Sequence, residues 1–308
     1  MAINDLPGMG WLPDIPSIRD FTEDTPSIAQ ELVKTNLAYR LSGPASRLSS
    51  GGSAGGGAGA AAAPLRAPAI APSVDLRPWC SPIEDQQALG SCTANAAVGL
   101  VEYFERRAFG KHIDGSRLFV YKTTRNLLGW TGDTGAYLRS AMGALVMFGV
   151  PPETYWPYDA SKFDVEPTAF VYALGQDFQS LQYFRLDPAG ITPAQVLDNV
   201  RHYLSHGFPS MFGFPVYDEF MHVPANGLVA MPGPNSHLYG GHAIDAVGYD
   251  DNIQIGNDKG ALLIRNSCGT GWGLAGYAWL SYKYVTSGLA VDWWTNIKSE
   301  WVNTEVFR

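Results

Sequence analysis

An α+β fold in two lobes, one mostly helical and one mostly sheet, is what this sequence predicts. Two observations lead there. Apolar residues recur at helical spacing from Cys92 to Gly207, and beyond Gly207 they switch to the alternation of strands. Helices followed by strands, with no internal repeat, is the order of segregated layers rather than of alternating βαβ units. The chain has 308 residues and is 46% hydrophobic, enough for one large domain or two modest ones.

Residues 1–41 read as a segment too small to make a core of its own, packing on the remainder of the chain. Pro7, Pro13 and Pro16 keep its first part extended. Trp11, Ile15, Ile18 and Phe21 give it an apolar side, which either packs on the main domain or lies over a substrate groove. Ile28, Leu32 and Leu37 predict a short helix within Ser27–Tyr39. Residues 42–73 are rich in Gly, Ala, Ser and Pro and read as a flexible tether. A coil of about 30 such residues spans roughly 30 Å.

The main domain is expected to run from 74 to 308. Ala97, Val101, Phe104 and Ala108 predict a buried helix starting at Cys92. Leu138, Ala141, Met142, Leu145 and Phe148 predict a second, ended by Gly149 and Pro151. Thr192-Pro193-Ala194-Gln195 is a capping-box start for a third, running to Gly207. Ser210–Val216, His242–Tyr249, Ala261–Asn266 and Tyr277–Lys283 read as strands between Gly, Asp and Asn turns.

Net charge is −8 with no basic block, which argues against a nucleic-acid backbone partner. Cys80, Cys92 and Cys268 are too few for a disulfide framework. No spacing suggests a metal site, and no cofactor is expected. His202 and His206 read as a solvated helix face. The first residues lack the basic start and apolar run of a signal peptide, and no run of about 18 apolar residues occurs. The default is a cytoplasmic monomer, with export by another route left open.

The chemistry gathers at Gln86 to Ala96. Cys92 follows a Gly90-Ser91 turn where a helix begins, and the helix dipole there favours thiolate, the reactive form. A thiolate nucleophile needs a base, usually His, and a group that holds the ring in one tautomer. His242 lies at the start of a strand and Asn266 at the end of another, giving the order Cys, His, Asn.

Three blocks carry a resemblance: Gln86 six residues before Cys92, with Gly90-Ser91-Cys92 following; Gly-His242-Ala-x-x-x-Val-Gly-Tyr; and Asn266-Ser-x-Gly-x-Gly-Trp-Gly-x-x-Gly-Tyr. Together, over about residues 74–284, they resemble the papain-like cysteine peptidases, most of all the bacterial, xylellain-like branch. The resemblance implies a papain-like fold: a helical left lobe whose central helix starts at the catalytic Cys, and an antiparallel sheet or barrel as right lobe. It implies a hydrolase that cleaves peptide or protein substrates through an acyl-enzyme on Cys92. His242 would be its acid and base, Asn266 would orient His242, and Gln86 would donate to the oxyanion. Gly135, Ala136, Tyr137 and Gly241 would line the groove, with the Gly135 backbone pairing to substrate.

Three departures stand out. Leu89 replaces the family's disulfide Cys, Thr93 its Trp, and Cys268 the Trp that shields the Asn–His contact. They imply a more exposed Asn266–His242 bond and a second modifiable thiol at Cys268. Cys80 reads as a core thiol and Trp272 as packing near the His–Asn pair, and Asp245 has no assigned role. Two rival readings remain: a binding protein that has lost activity, and an acyl transferase using the same residues.

Overall fold

The structure, a computed structural model, describes residues 9–35, 70–178 and 182–307. Leu37 and residues 42–69 of the expected tether lie outside it. Its helices are α1 (Pro26–Leu32), α2 (Cys92–Phe109), α3 (Arg117–Leu128), α4 (Leu138–Phe148), α5 (Ala169–Gly175), α6 (Pro193–Ser205), α7 (Asp218–Met221), α8 (Lys283–Thr286) and α9 (Ser299–Val302). Its strands are β1 (Ser73–Asp75), β2 (Gln182–Arg185), β3 (Ser210–Tyr217), β4 (Leu228–Val229), β5 (Leu238–Ile255), β6 (Asp258–Arg265), β7 (Tyr277–Ser281) and β8 (Val291–Ile297).

Helix α2 is the axis. Every residue from Cys92 to Phe104 is buried. A helix hydrophobic all round belongs in a core, and Ala94, Ala96, Ala97 and Gly99 are small enough to let neighbours close on it. It packs on α3 and α4 on one side and on β5 on the other. A left-handed Gly110, φ 72°, ends it. Helix α6 starts on the expected capping box: Thr192 Oγ1 accepts from Gln195 N–H, and Gln195 Oε1 accepts from Thr192 N–H.

The strands form one sheet in the order β2-β8-β3-β5-β6-β7-β4, with β1 added to β5. Pairing is antiparallel except between β4 and β7, which run parallel, one departure from the expected antiparallel lobe. The domain also starts earlier than expected. Tyr249 Oη donates to Ala71 O, Asp251 N–H donates to Pro72 O, and Ser73 is already in β1.

The apolar side expected of the N-terminal segment is not buried as a unit. Trp11 is 6% exposed, whereas Ile15, Ile18 and Phe21 face solvent. Prolines at 13 and 16 prevent the regular periodicity that would turn all four inward. Helix α1 stops at Leu32, with Ile28 and Leu32 buried. His202 and His206 are half-buried, with ring centroids 4.5 Å apart, rather than a solvated pair.

Candidate active site

The nucleophile candidate sits where a turn meets α2. Ser91 caps α2 through its carbonyl, which accepts from Ala94 and Asn95 N–H. Asn95 Nδ2 donates to Ser91 O and Oγ, and Tyr158 Oη bonds Ser91 Oγ and donates to Gln86 O. Ahead of it, Asp133 accepts from Gly90 N–H at 3.0 Å and from Tyr121 Oη. Tyr121 Oη in turn accepts from Gly135 N–H. One carboxylate thus ties the turn before Cys92 to the edge of the groove. Tyr121 and Tyr158 carry no signal in the sequence, because nothing local marks a tyrosine as bridging segments far apart in the chain.

Across from α2, β5 carries His242 and the end of β6 leads to Asn266. His242 Nε2 lies 2.8 Å from Asn266 Oδ1. Ser267 N–H, which can only donate, bonds that same Oδ1 at 2.9 Å. The oxygen identity is therefore fixed, and with it the tautomer: Nε2 carries the hydrogen, and Nδ1 is the basic nitrogen. Nδ1 has no hydrogen-bond partner among the described residues.

The pair is shielded. His242 is fully buried and Asn266 nearly so. Phe220 stands edge-on to the imidazole at 5.7 Å and packs on Trp272, whose Nε1 donates to Phe220 O. The expectation of an exposed Asn–His bond fails, because Phe220 and Trp272 cover what Cys268 cannot.

Gln86 is buried and oriented from both ends of its amide. Ser267 Oγ donates to its Oε1 at 2.6 Å, and its Nε2 donates to Leu89 O at 2.9 Å. Ser267 thereby supports both Asn266 and Gln86.

The groove is filled by the chain itself. Gly10, Trp11 and Leu12 run between the lobes as an extended strip. On one side Ala136 N–H donates to Gly10 O at 2.7 Å, and Leu12 N–H donates to Ala136 O at 3.1 Å. On the other, Trp11 N–H donates to Gly241 O at 3.1 Å. The bridge between Trp11 and Ala136 is parallel. The expected groove residues Ala136 and Gly241 thus hold a peptide backbone. Gly135 does not pair: its N–H is committed to Tyr121, and its φ of 70° presses Cα against the strip, where a Cβ would come within 2.2 Å of Gly10 O. Tyr137 is half-buried and caps α4.

This cover reverses the expected protonation. Burial pushes the Cys92 thiol up to about 11, although backbone groups of Ala243 and Gly10 lie near enough to pull it down. Burial likewise pulls His242 down to about 4, against the opposing bond from Asn266. The backbone N–H groups of Cys92 and Thr93 at the start of α2 pull the thiol down as well, but by less than the loss of solvent raises it. With the strip in place, the pair is thiol and neutral imidazole. Desolvation also pushes the half-buried Cys268 up to about 12 against the opposing bond from Asn266, and Cys80 is a buried thiol held at about 11. All three cysteines are free. Asp245 lies 3.6 Å from Arg265, in a buried pair against Gly99 of α2. Among the described residues no group of three potential metal ligands occurs, and no helix is long and apolar enough to cross a membrane.

Residues 70–295 match the family of papain family cysteine proteases. The chain is 37% identical over 216 residues to an uncharacterized peptidase C1-like protein of Acanthamoeba polyphaga mimivirus, covering 68% of each chain. It is 29% identical to a cathepsin B-like protein, CP3, of Giardia intestinalis, over 65% of this chain and 64% of that one. Among solved structures it superposes on xylellain, a cysteine protease from Xylella fastidiosa, with a TM-score of 0.68 and 28% identity, over 96% of this chain and 98% of that one.

Proposed function

The chain belongs to the papain family of cysteine proteases and is a cysteine peptidase, and on that premise we propose that Cys92, His242, Asn266 and Gln86 are its catalytic residues and that residues 9–12 hold the site closed. The observation that carries this reading is the strip hydrogen-bonded to Ala136 and Gly241, on both sides of the groove beside Cys92.

In the open site, solvent returns to the pair. The thiol's pKa falls, the imidazole's rises, and the proton passes from sulfur to His242 Nδ1. The thiolate attacks the substrate carbonyl carbon. The C–S bond forms, and the carbonyl π pair moves to oxygen. Donors aimed at that oxygen stabilise it, and losing one costs roughly a hundredfold or more in rate. Gln86 Nε2 and the Cys92 backbone N–H take that role. The intermediate collapses, the C–N bond breaks, and the amine leaves with the proton from His242. Water then attacks the thioester with His242 as base, releasing the acid and restoring the thiol. Asn266 keeps the ring in the tautomer that accepts at Nδ1 throughout.

Residues 9–12 act here as the pro-like cover of a catalytic domain whose body begins near residue 70, ahead of the expected 74. The enzyme works alone, as a monomer, on peptide or protein substrates. Its free cysteines suit the reducing cytoplasm.

Hydrolysis of a fluorogenic peptide series by full-length wild type, Trp11→Ala and Trp11→Ala/Cys92→Ala tests the reading. Trp11→Ala is expected to hydrolyse faster than wild type, and the double variant not at all. Equal rates in the last two would remove Cys92 from the reaction.

A further inference from the structure

The strip does more than close the groove. Its Trp11 side chain is the one apolar group among Trp11, Ile15, Ile18 and Phe21 that the protein buries. The indole lies against three adjacent strands. Gly213 of β3 and Gly241 of β5 make the walls: a Cβ on Gly213 would sit 1.9 Å from Trp11 Cε2, and one on Gly241 would sit 2.9 Å from Trp11 Cε3. Any larger residue at either place would fill the space the ring occupies.

The floor is polar. Trp11 Nε1 donates to Asp292 Oδ2 at 3.1 Å, inside the protein. Asp292, the second residue of β8, adopts a left-handed conformation, φ 62°, one that few residues other than glycine, asparagine and aspartate take up. Its own N–H is held by Asp187 Oδ2 at 2.7 Å. Its Oδ1 accepts from Trp294 Nε1 at 2.7 Å and lies 3.2 Å from Arg185 Nη1. Oδ1 is thus satisfied by the domain itself, whereas the bond drawn to Oδ2 comes from Trp11. Once the strip leaves, Oδ2 faces the emptied pocket.

We infer that this pocket, open once the strip is displaced, selects the substrate, and that Asp292 makes it prefer a large aromatic side chain with an N–H or O–H donor, tryptophan above phenylalanine. The inference rests on the reading that the strip lies where substrate binds. A buried carboxylate oxygen left without a donor is costly, so an aromatic residue that supplies one is favoured over an equal-sized one that does not. Arg185 beside Oδ1 is shared with Asp187 at 2.8 Å and Asp20 at 3.4 Å, so it offsets the Asp292 charge only in part, and a cationic side chain is the competitor that the substrate scan must include.

The test needs a readout besides turnover. In full-length Trp11→Ala the pocket is vacant, and indole and its carbon analogue indene, equal in shape, are titrated while Tm is followed. Indole is expected to bind at least about tenfold more tightly, the size of one hydrogen bond to a charged group. Adding Asp292→Asn is expected to erase the difference. Trp294 Nε1 and Arg185 require the amide oxygen on their side, which leaves the amide N–H₂ facing the indole N–H. Equal affinities in Trp11→Ala, or a preference that survives Asp292→Asn, would overturn the proposal.

The second measurement scans Trp, Tyr, Phe and Arg through each position on the amino side of the cleaved bond. A Trp-to-Phe ratio in kcat/KM of about ten or more at one position supports the inference. A flat profile, or Arg above Trp, overturns it. Indole selectivity without cleavage of any peptide would leave the pocket standing and sink the catalytic reading. Trp11→Phe, which keeps an aromatic ring but removes the pyrrole ring with its N–H, guards against a poorly folded alanine variant: it too is expected to hydrolyse peptides faster than wild type, and no gain would count against the Asp292 bond.

Discussion

Two stretches of the N-terminal segment, separated by residues 13–25, are built on opposite principles. The strip at 9–12 is held mainly by backbone hydrogen bonds to Ala136 and Gly241 and by one buried side chain, Trp11. Helix α1, at Pro26–Leu32, is held by Ile28 and Leu32, both in the common core and packed toward β2 and α9. Between them the chain is pinned electrostatically: Arg139 meets Asp14 at 2.6 Å, and its Nη2 donates to Asp20 at 3.0 Å. Backbone pairing and ion pairs exchange readily for water or for another peptide, whereas buried aliphatic surface does not. The difference separates a cover that can leave from a helix that belongs to the enzyme, though both fall in one segment by sequence.

The largest effect sharpens that division. Leu32→Ala is expected to destabilise the fold by about 2–5 kcal/mol, as for a fully buried leucine, without raising peptide hydrolysis at temperatures where it stays folded. Chemical unfolding checks it. A loss under about 1 kcal/mol would place α1 with the removable cover.

A smaller effect bears on the pins. Arg139→Ala removes partners from Asp14 and Asp20 while Arg185 still faces Asp20. Hydrolysis by the full-length variant is expected to rise by about tenfold or less, the worth of partly exposed charge pairs, and to show a weaker salt dependence than wild type. Unchanged activity would mean that the groove ladder alone sets the closure.

The smallest effect is on pH. His242 is held neutral in the closed site, with a pKa of about 4 against an unperturbed 6.5. As pH falls from about 6.5 to 4, an opened or unfolded chain takes up a proton that the closed one refuses, so acid lowers the stability of the closed form in that window. The Tm of wild type is expected to drop more between pH 7 and pH 4.5 than that of His242→Gln. Parallel curves would mean that the closed site does not hold the imidazole neutral.

Much of the site is legible in the sequence because its chemistry is local. Cys92 after a Gly-Ser turn, His242 before an alternating strand and Asn266 after another need no tertiary knowledge. The features that are not legible depend on distant partners. Helix α3 hides because Arg117, Lys122 and Arg125 are buried, matched by Glu84, Glu153 and Asp164 from elsewhere, and so erase the apolar stripe. Strand β8 hides because Asp292 and Asn296 are buried where alternation would put apolar residues. The protonation of Cys92 runs opposite to its sequence context for the same reason: the dipole is written beside the cysteine, but its burial depends on residues some eighty positions earlier. Ala136, not Gly135, holds the strip because Tyr121 from α3 claims the Gly135 N–H.

The central claim is that a competent thiol is closed off by the chain's own strip. The most direct measurement is the rate at which iodoacetamide labels Cys92 at pH 7, followed by mass spectrometry so that Cys80 and Cys268 are told apart. Full-length wild type is expected to react slowly, as a buried thiol with a pKa of about 11 does. Trp11→Ala is expected to react at least about a hundredfold faster, with the rate levelling off above a much lower pKa. Equal, slow labelling of Cys92 in both proteins would contradict the account.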